Sequence, residues 1–423
     1  MSVAATFLGG AGGRLLPLGI PLRFSLAAAV YHVLAWLALA ACAGDALSFG
    51  GGLGWPLAAL HLFTLGVFGM TALGAAAQLL PVATRQSPVG ERALRAIWWL
   101  YVPGVAAVAL GMGGAQPALL AAGALAVGFA LLVWSGLVAR HLAGARGMPG
   151  VAAHAWVALA SLWILLASAL LLVAGWLGWP TPSRQVLLPM HLLFAPFGFM
   201  GMLALGLSYI LVPMFALAHP PRDAVQLGSC ALLVSALGVA AGSLLATDAN
   251  WLRAVAWTCA VVGVLLHLQS MRRALASGMR KELGRSFLLV KLAWAALVLA
   301  LLCGGLAWAG ADVPRLRAWI GLALLAWLLG FVMGILQRIL PFLAALHAAA
   351  GRRRGPTASS LTHEGCLRVH FACHLAAFAL LALGVATDSA LVARLGALAG
   401  LAGALAFAGF CLQLVRRLRR AAP

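Results

Sequence analysis

Charge is what this chain has least of. Charged residues make up 9% of its 423 positions, and only eight residues are acidic. None of the eight lies deep in an apolar run. That argues against proton coupling through intramembrane carboxylates and against a cation pathway lined by acidic rings. No phosphate-binding loop is present, so nothing points to an NTPase. The seven cysteines, Cys42, Cys230, Cys259, Cys303, Cys366, Cys373 and Cys411, form no CxxC pair and fall mostly inside apolar runs. They do not make the disulfide framework of a small secreted protein.

Apolar residues are present in excess, at 64% of the chain. A soluble domain needs far more polar surface. A spanning helix needs about 20 apolar residues, and the sequence divides into about twelve such runs. They are long and rich in Leu and Ala, unlike the short alternating segments of a barrel. The expected fold is therefore all-α: a polytopic membrane helix bundle of about twelve transmembrane helices, with the lipid bilayer as its main partner.

The formal charge of +20 does not imply nucleic acid, because the positive residues are segregated by loop. Arg14 and Arg23 precede the first run. Arg85, Arg92 and Arg95 follow the second, Arg140 and Arg146 the fourth, and Arg222 the sixth. Arg272, Arg273, Arg280, Lys281 and Arg285 follow the eighth. Arg352, Arg353 and Arg354 follow the tenth, and Arg416, Arg417, Arg419 and Arg420 close the chain. Alternate loops carry little: Asp45, Arg184, Asp248 with Arg253, Asp312 with Arg315 and Arg317, and Asp388 with Arg394. Positive charge stays on the cytoplasmic side, so both termini are expected in the cytoplasm of a bacterial inner-membrane protein. A signal peptide ending near Ala-Cys-Ala before Gly44 is conceivable, but the run from Ser25 is long enough to span and the charge alternation needs it retained.

The chain repeats itself. GVFGMTALG from Gly66 matches GFMGMLALG from Gly198, and Gly66, Gly69, Met70, Ala72, Leu73, Gly74 and Pro81 fall without a gap on Gly198, Gly201, Met202, Ala204, Leu205, Gly206 and Pro213. A fainter third copy places Gly334 before Pro341 at the spacing of Gly74 and Pro81. The copies recur roughly every 130 residues. This gives a cytoplasmic arm over 1–24 and one transmembrane domain over 25–423, made of three four-helix pseudo-repeats, 25–140, 153–271 and 287–415. Glycines on one helix face permit close approach in lipid, which puts the second helix of each repeat near the middle. The helix before each motif shares a flavour: Tyr31, His32 and Trp36; His154 and Trp156; Lys291 and Trp294.

Twelve spans in three four-helix arcs, with the second helix of each arc innermost, resemble the catalytic subunit of heme–copper oxidases and nitric oxide reductases. They are similar also to the smaller NnrS-type heme–copper membrane proteins of nitric oxide response. In that superfamily the second span supplies an axial histidine to heme and the sixth a histidine to copper. The resemblance implies heme and copper as cofactors, with His61 and His191 as cofactor-binding residues, and other respiratory membrane subunits as partners. The chain departs from the pattern elsewhere. Residues 226–246 lack the family's copper histidines, and Ala318 to Ala345 lack its His-x-His, so the oxygen-reducing centre cannot be assembled from these positions.

Two constellations could carry chemistry. Imidazole suits heme iron and copper, and His61 and His191 stand on the expected central helices at similar heights above the matched prolines; the alternative is that each hydrogen-bonds a neighbouring backbone near the headgroups. Met190 adjoins His191, and Met70 and Met202 share one repeat position, as thioether ligands or as packing residues. The second set is His363, Cys366, His370 and His374, at steps of three, four and four on one helix face. Its ends stand about 16 Å apart at 1.5 Å per residue, so only His370 with His374, or His363 with Cys366, could share a metal ion. Otherwise the four form a polar stripe at the membrane entry. His32 and His267 could each ligate a heme if its helix faces the centre; otherwise each is a buried, hydrogen-bonded histidine.

These readings favour a heme- or copper-binding membrane protein serving nitric oxide response, respiratory assembly or metal handling rather than oxygen reduction. With two imidazoles a heme would be a low-spin electron carrier; with one it would leave a position open to a gas such as nitric oxide. The alternative is a permease for a neutral or apolar solute, since internal repeats and Gly/Pro-interrupted helices also mark transporters.

Overall fold

The computed structural model describes residues 14–246, 249–349 and 355–421. Residues 1–13, Asp248, and Arg352 to Arg354, on which part of the arm and charge readings rest, lie outside the described residues. Among the described residues, twelve helices are long and apolar enough to cross a membrane. They are α1 (Gly19–Ala41), α2 (Trp55–Thr84), α3 (Glu91–Gly113), α4 (Pro117–Ala143), α5 (Pro149–Trp176) and α6 (Arg184–Ala216), then α7 (Asp223–Ser243), α8 (Asn250–Ser277), α9 (Gly284–Trp308), α10 (Leu316–Ala349), α11 (Glu364–Thr387) and α12 (Ala390–Ala421). No strand occurs among the described residues. The protein is a polytopic all-α membrane bundle.

The first helix starts earlier than expected, at Gly19 rather than near residue 25, so the arm is shorter. Pro21 falls in its first turn, where a missing N–H breaks no helical bond. Arg23 is held there by Gly19 O and by the Trp98 ring, 5.7 Å from its guanidinium carbon.

The second helices of the repeats are the most enclosed: 89% of the core of α6 is buried, 72% of α2 and 61% of α10, against 22% of α8. Successive helices pair as hairpins, α3 with α4, α7 with α8, α11 with α12, and the outer α9 with the inner α10, and α12 closes the ring against α1. That last contact needs Gly400, whose Cα lies under the Trp36 ring.

The motif glycines explain why the three inner helices sit where they do. A Cβ on Gly66 would stand 2.6 Å from Tyr31 Cβ, and one on Gly74 would stand 2.8 Å from Phe24 Cβ. In the second repeat Gly198 meets Ser161 at 2.7 Å and Gly206 meets His154 Cβ at 2.6 Å; in the third, Gly334 meets Ser286 O at 2.6 Å. The same crossing therefore recurs three times, and it aligns Phe24 with His154 and Ser286. This register differs from the one suggested by the shared His and Trp of α1 and α5.

Helices α2 and α6 also share a defect. Each widens into a π-helical stretch, Leu62–Gly69 and Phe194–Gly201, separated by the interval between the repeats; α10 has none and runs as one α-helix. In α6, Pro196 lies within the stretch and has no N–H to give the α pattern. In α2 the Tyr101 hydroxyl from α3 donates to Leu65 O at 3.1 Å, inside the stretch. Such insertions re-aim the side chains on either side and occur often at functional sites.

The basic loops meet at one end. Arg146 N–H donates to Thr84 O at 2.9 Å, joining the α2–α3 and α4–α5 turns, and Arg280 N–H donates to Ala216 O at 3.1 Å, joining α6–α7 to α8–α9. At the other end Arg315 pairs with Asp388 at 2.6 Å.

Candidate functional site: two histidine groups

His61 is the last residue of the first α-helical segment of α2, directly before the π stretch. His191 stands on α6 two residues after Pro189 and three before the second π stretch. The two rings lie 6.3 Å apart, centroid to centroid, and 28° from parallel. Both residues are half-buried. His61 Nδ1 lies 3.0 Å from Leu57 O; a carbonyl only accepts, so Nδ1 carries the hydrogen and Nε2 presents a lone pair. A backbone carbonyl fixing the tautomer in this way is the usual arrangement of a metal-ligating histidine. Nδ1 of His191 is enclosed and has no partner. The rings stack rather than meet end to end; donor type and the His61 tautomer are those of a metal ligand.

Compared with known proteins, the sequence matches no family model and no curated relative.

The four residues read as one face of α11 separate in the structure. His363 is not on the helix but caps it: its Nδ1 accepts the Cys366 backbone N–H at 3.1 Å. A capping bond outweighs a continued turn here because the first N–H groups of a helix otherwise lack partners. His363 and Cys366 line an open surface hollow with Arg368 and Ala406. His370 and His374 are buried, with ring centroids 5.6 Å apart. His370 Nδ1 donates to Gly403 O on α12 at 3.0 Å, and its Nε2 is enclosed without a partner. These two keep the pairwise geometry a shared ion needs.

His32 joins them, which sequence spacing alone did not indicate. Its ring centroid lies 6.1 Å from that of His370, because α12 and α11 fold back onto α1. It makes a poor third ligand. Trp36 Nε1–H donates to His32 Nε2 at 2.9 Å, so the neutral ring carries its hydrogen on Nδ1 and has no free lone pair. Only the His32–Trp36 step of four along α1 could have shown this pairing in the sequence. Among the described residues no three His, Cys, Asp or Glu side chains stand where they could close on one ion. A metal at α11 would therefore rest on a pair.

Met70 and Met202 are fully buried core residues. Below the His61–His191 pair, a cavity of about 80 Å³ runs between α1, α2, α6 and α10, from the level of Phe68 and Met200 to Leu343. Its walls are apolar except chiefly for Thr71 and Gln78, whose side-chain polar atoms have no partner.

Proposed function

We propose that this protein is a redox-metal-binding membrane protein of the heme–copper oxidase kind, with copper or heme iron held by His61 and His191. The observation that carries the reading is the convergence of these two histidines, from equivalent helices of two repeats, with the His61 lone pair freed by Leu57 O. Bound there, copper or heme iron supplies one-electron chemistry or a site for a small gas. The protein supplies the tautomer of His61 and the approach of the two rings, each on an α-helical segment that ends at or just before a π stretch. Nitric oxide response, respiratory assembly and metal handling all suit such a centre. The segregation of arginines supports a bacterial inner membrane with both termini cytoplasmic; respiratory membrane subunits are the partners such a centre would serve.

The test is a visible spectrum of the detergent-purified protein before and after dithionite, with metal analysis of the same sample. A Soret band that shifts on reduction identifies heme, and copper without a Soret band identifies the ion. A colourless, metal-free protein from heme- and copper-replete cells would refute the reading.

A permease for a small neutral solute is the second reading, and the axial cavity with Thr71 and Gln78 favours it. Accumulation of solute in vesicles, blocked by Gln78→Leu, would replace the first reading if no metal is found.

A further inference from the structure

We propose that His154, Tyr209 and His267 form a second metal site, for copper, at the opposite end of the bundle from His61 and His191. Tyr209 follows His191 by five turns along α6, roughly 25 Å. The three side chains come from α5, α6 and α8, and each is fully buried. The Tyr209 ring lies between the imidazoles, with centroids 5.4 Å from His154 and 5.0 Å from His267.

Three ring nitrogens of this group are enclosed without partners, Nε2 of His154 and both nitrogens of His267, and the Tyr209 hydroxyl stands between them with the Ser229 hydroxyl beside it. Enclosed polar atoms are normally satisfied by protein or by an internal occupant. The neighbouring Ser229 hydroxyl donates to Gly263 O at 2.9 Å, so toward Tyr209 it can only accept, which leaves the phenol oxygen's lone pairs facing the imidazoles. His154 has the tautomer a ligand requires. Its Nδ1 lies 2.8 Å from Gly150 O, leaving Nε2 as a lone pair. His267 is free to offer either nitrogen. Two imidazoles and a phenol suit copper(II), and binding it releases the phenol proton, lowering the net charge taken into the bundle.

The sequence builds this group deliberately. Gly206 lets α5 approach α6 until a Cβ would touch His154, which brings the imidazole beside Tyr209 one turn further on. In the other repeats the aligned residues are Phe24 and Ser286, so the ligand set belongs to the second repeat alone. His267 lies on the one buried stripe of α8, with Gly263, Val264, Ser270 and Met271, a helix otherwise turned outward.

The competing occupant is a single water, which could donate to two imidazole lone pairs. The experiment that separates them treats the full-length protein with a chelator, reloads it with copper(II), removes loose ion and measures copper and the visible spectrum. The proposal predicts a phenolate-to-copper charge-transfer band in the wild type. It predicts one copper equivalent fewer in His267→Leu, loss of the band in Tyr209→Phe, and retention of the band in His61→Ala. Absence of the band, its persistence in Tyr209→Phe, or unchanged copper in a folded His267→Leu would overturn it. Tyr209→Phe removes a single oxygen and keeps the test decisive if His267→Leu does not fold. Because His61→Ala leaves this site intact, failure here is distinct from failure of the His61–His191 centre.

Discussion

The imidazoles of His61 and His191 lie 6.3 Å apart although 129 residues separate them along the chain. Their meeting follows from the repeat. The glycines that seat α2 against α1 and α6 against α5 place both helices at the centre, and a π stretch follows each histidine closely. The site is thus a product of the architecture rather than of a local motif.

The crossing glycines should be intolerant of side chains. Gly206→Leu forces a branched side chain against His154 Cβ, and Gly74→Leu does the same against Phe24. Overpacking of this kind costs about 1–3 kcal/mol or more. Both variants should unfold at lower temperature in detergent than Gly136→Leu, which meets nothing within 4 Å. Equal midpoints for the three would contradict the packing described.

The Tyr101 hydroxyl should contribute measurably to stability beyond the packing of its buried ring. It supplies a hydrogen bond to Leu65 O in the π stretch of α2. Tyr101→Phe removes this donor while Leu65 O keeps the Met70 N–H, so the loss is that of one hydrogen bond, about 0.5–1.5 kcal/mol. Thermal unfolding of Tyr101→Phe should show the loss, and a wild-type midpoint would mean that the stretch does not depend on this bond.

The His32–Trp36 bond is predicted to be structural. Trp36→Phe leaves His32 Nε2 buried and unpaired, again at about 1–3 kcal/mol. His32→Ala should lower stability but leave bound metal unchanged, because Trp36 occupies the lone pair a ligand would need. Loss of metal in a folded His32→Ala protein would make His32 a ligand and reverse that assignment.

The Arg315–Asp388 pair should contribute little. Both side chains are partly exposed, and exposed pairs are worth about 0–1 kcal/mol. Asp388→Asn, which removes the charge and suits the left-handed backbone there (φ 55°), should therefore shift the unfolding midpoint by no more than about a degree or two. A larger shift, abolished by salt, would show that the pair is shielded by lipid or protein.

Much of the architecture was legible because it is written in composition and repetition. Apolar run length gives the twelve helices, and the spacing of Gly66, Gly74 and Pro81 against Gly198, Gly206 and Pro213 gives the inner ones. The start of α1 was not, because Pro21 and Arg23 look like loop residues until Trp98 and the first-turn position accommodate them. The π stretches leave no compositional mark, since their residues suit an α-helix equally well. Helix rotation is also unwritten. The Tyr209–His154–His267 group and the His32–His370 approach depend on which way four outer helices turn, and apolar sequences with a helix period carry only weak information about that. His363 was misplaced on the α11 face because the same residue serves equally as a helix position or as its cap.

The most direct test of the central claim is X-ray absorption at the metal edge of the protein as isolated, with His61→Ala and His191→Ala alongside. The account predicts copper or iron with imidazole scattering from two ligands in the wild type. Either single substitution should abolish that two-imidazole signature. A wild-type metal whose imidazole count is unchanged in both variants, or a wild type with no bound copper or iron, would contradict it.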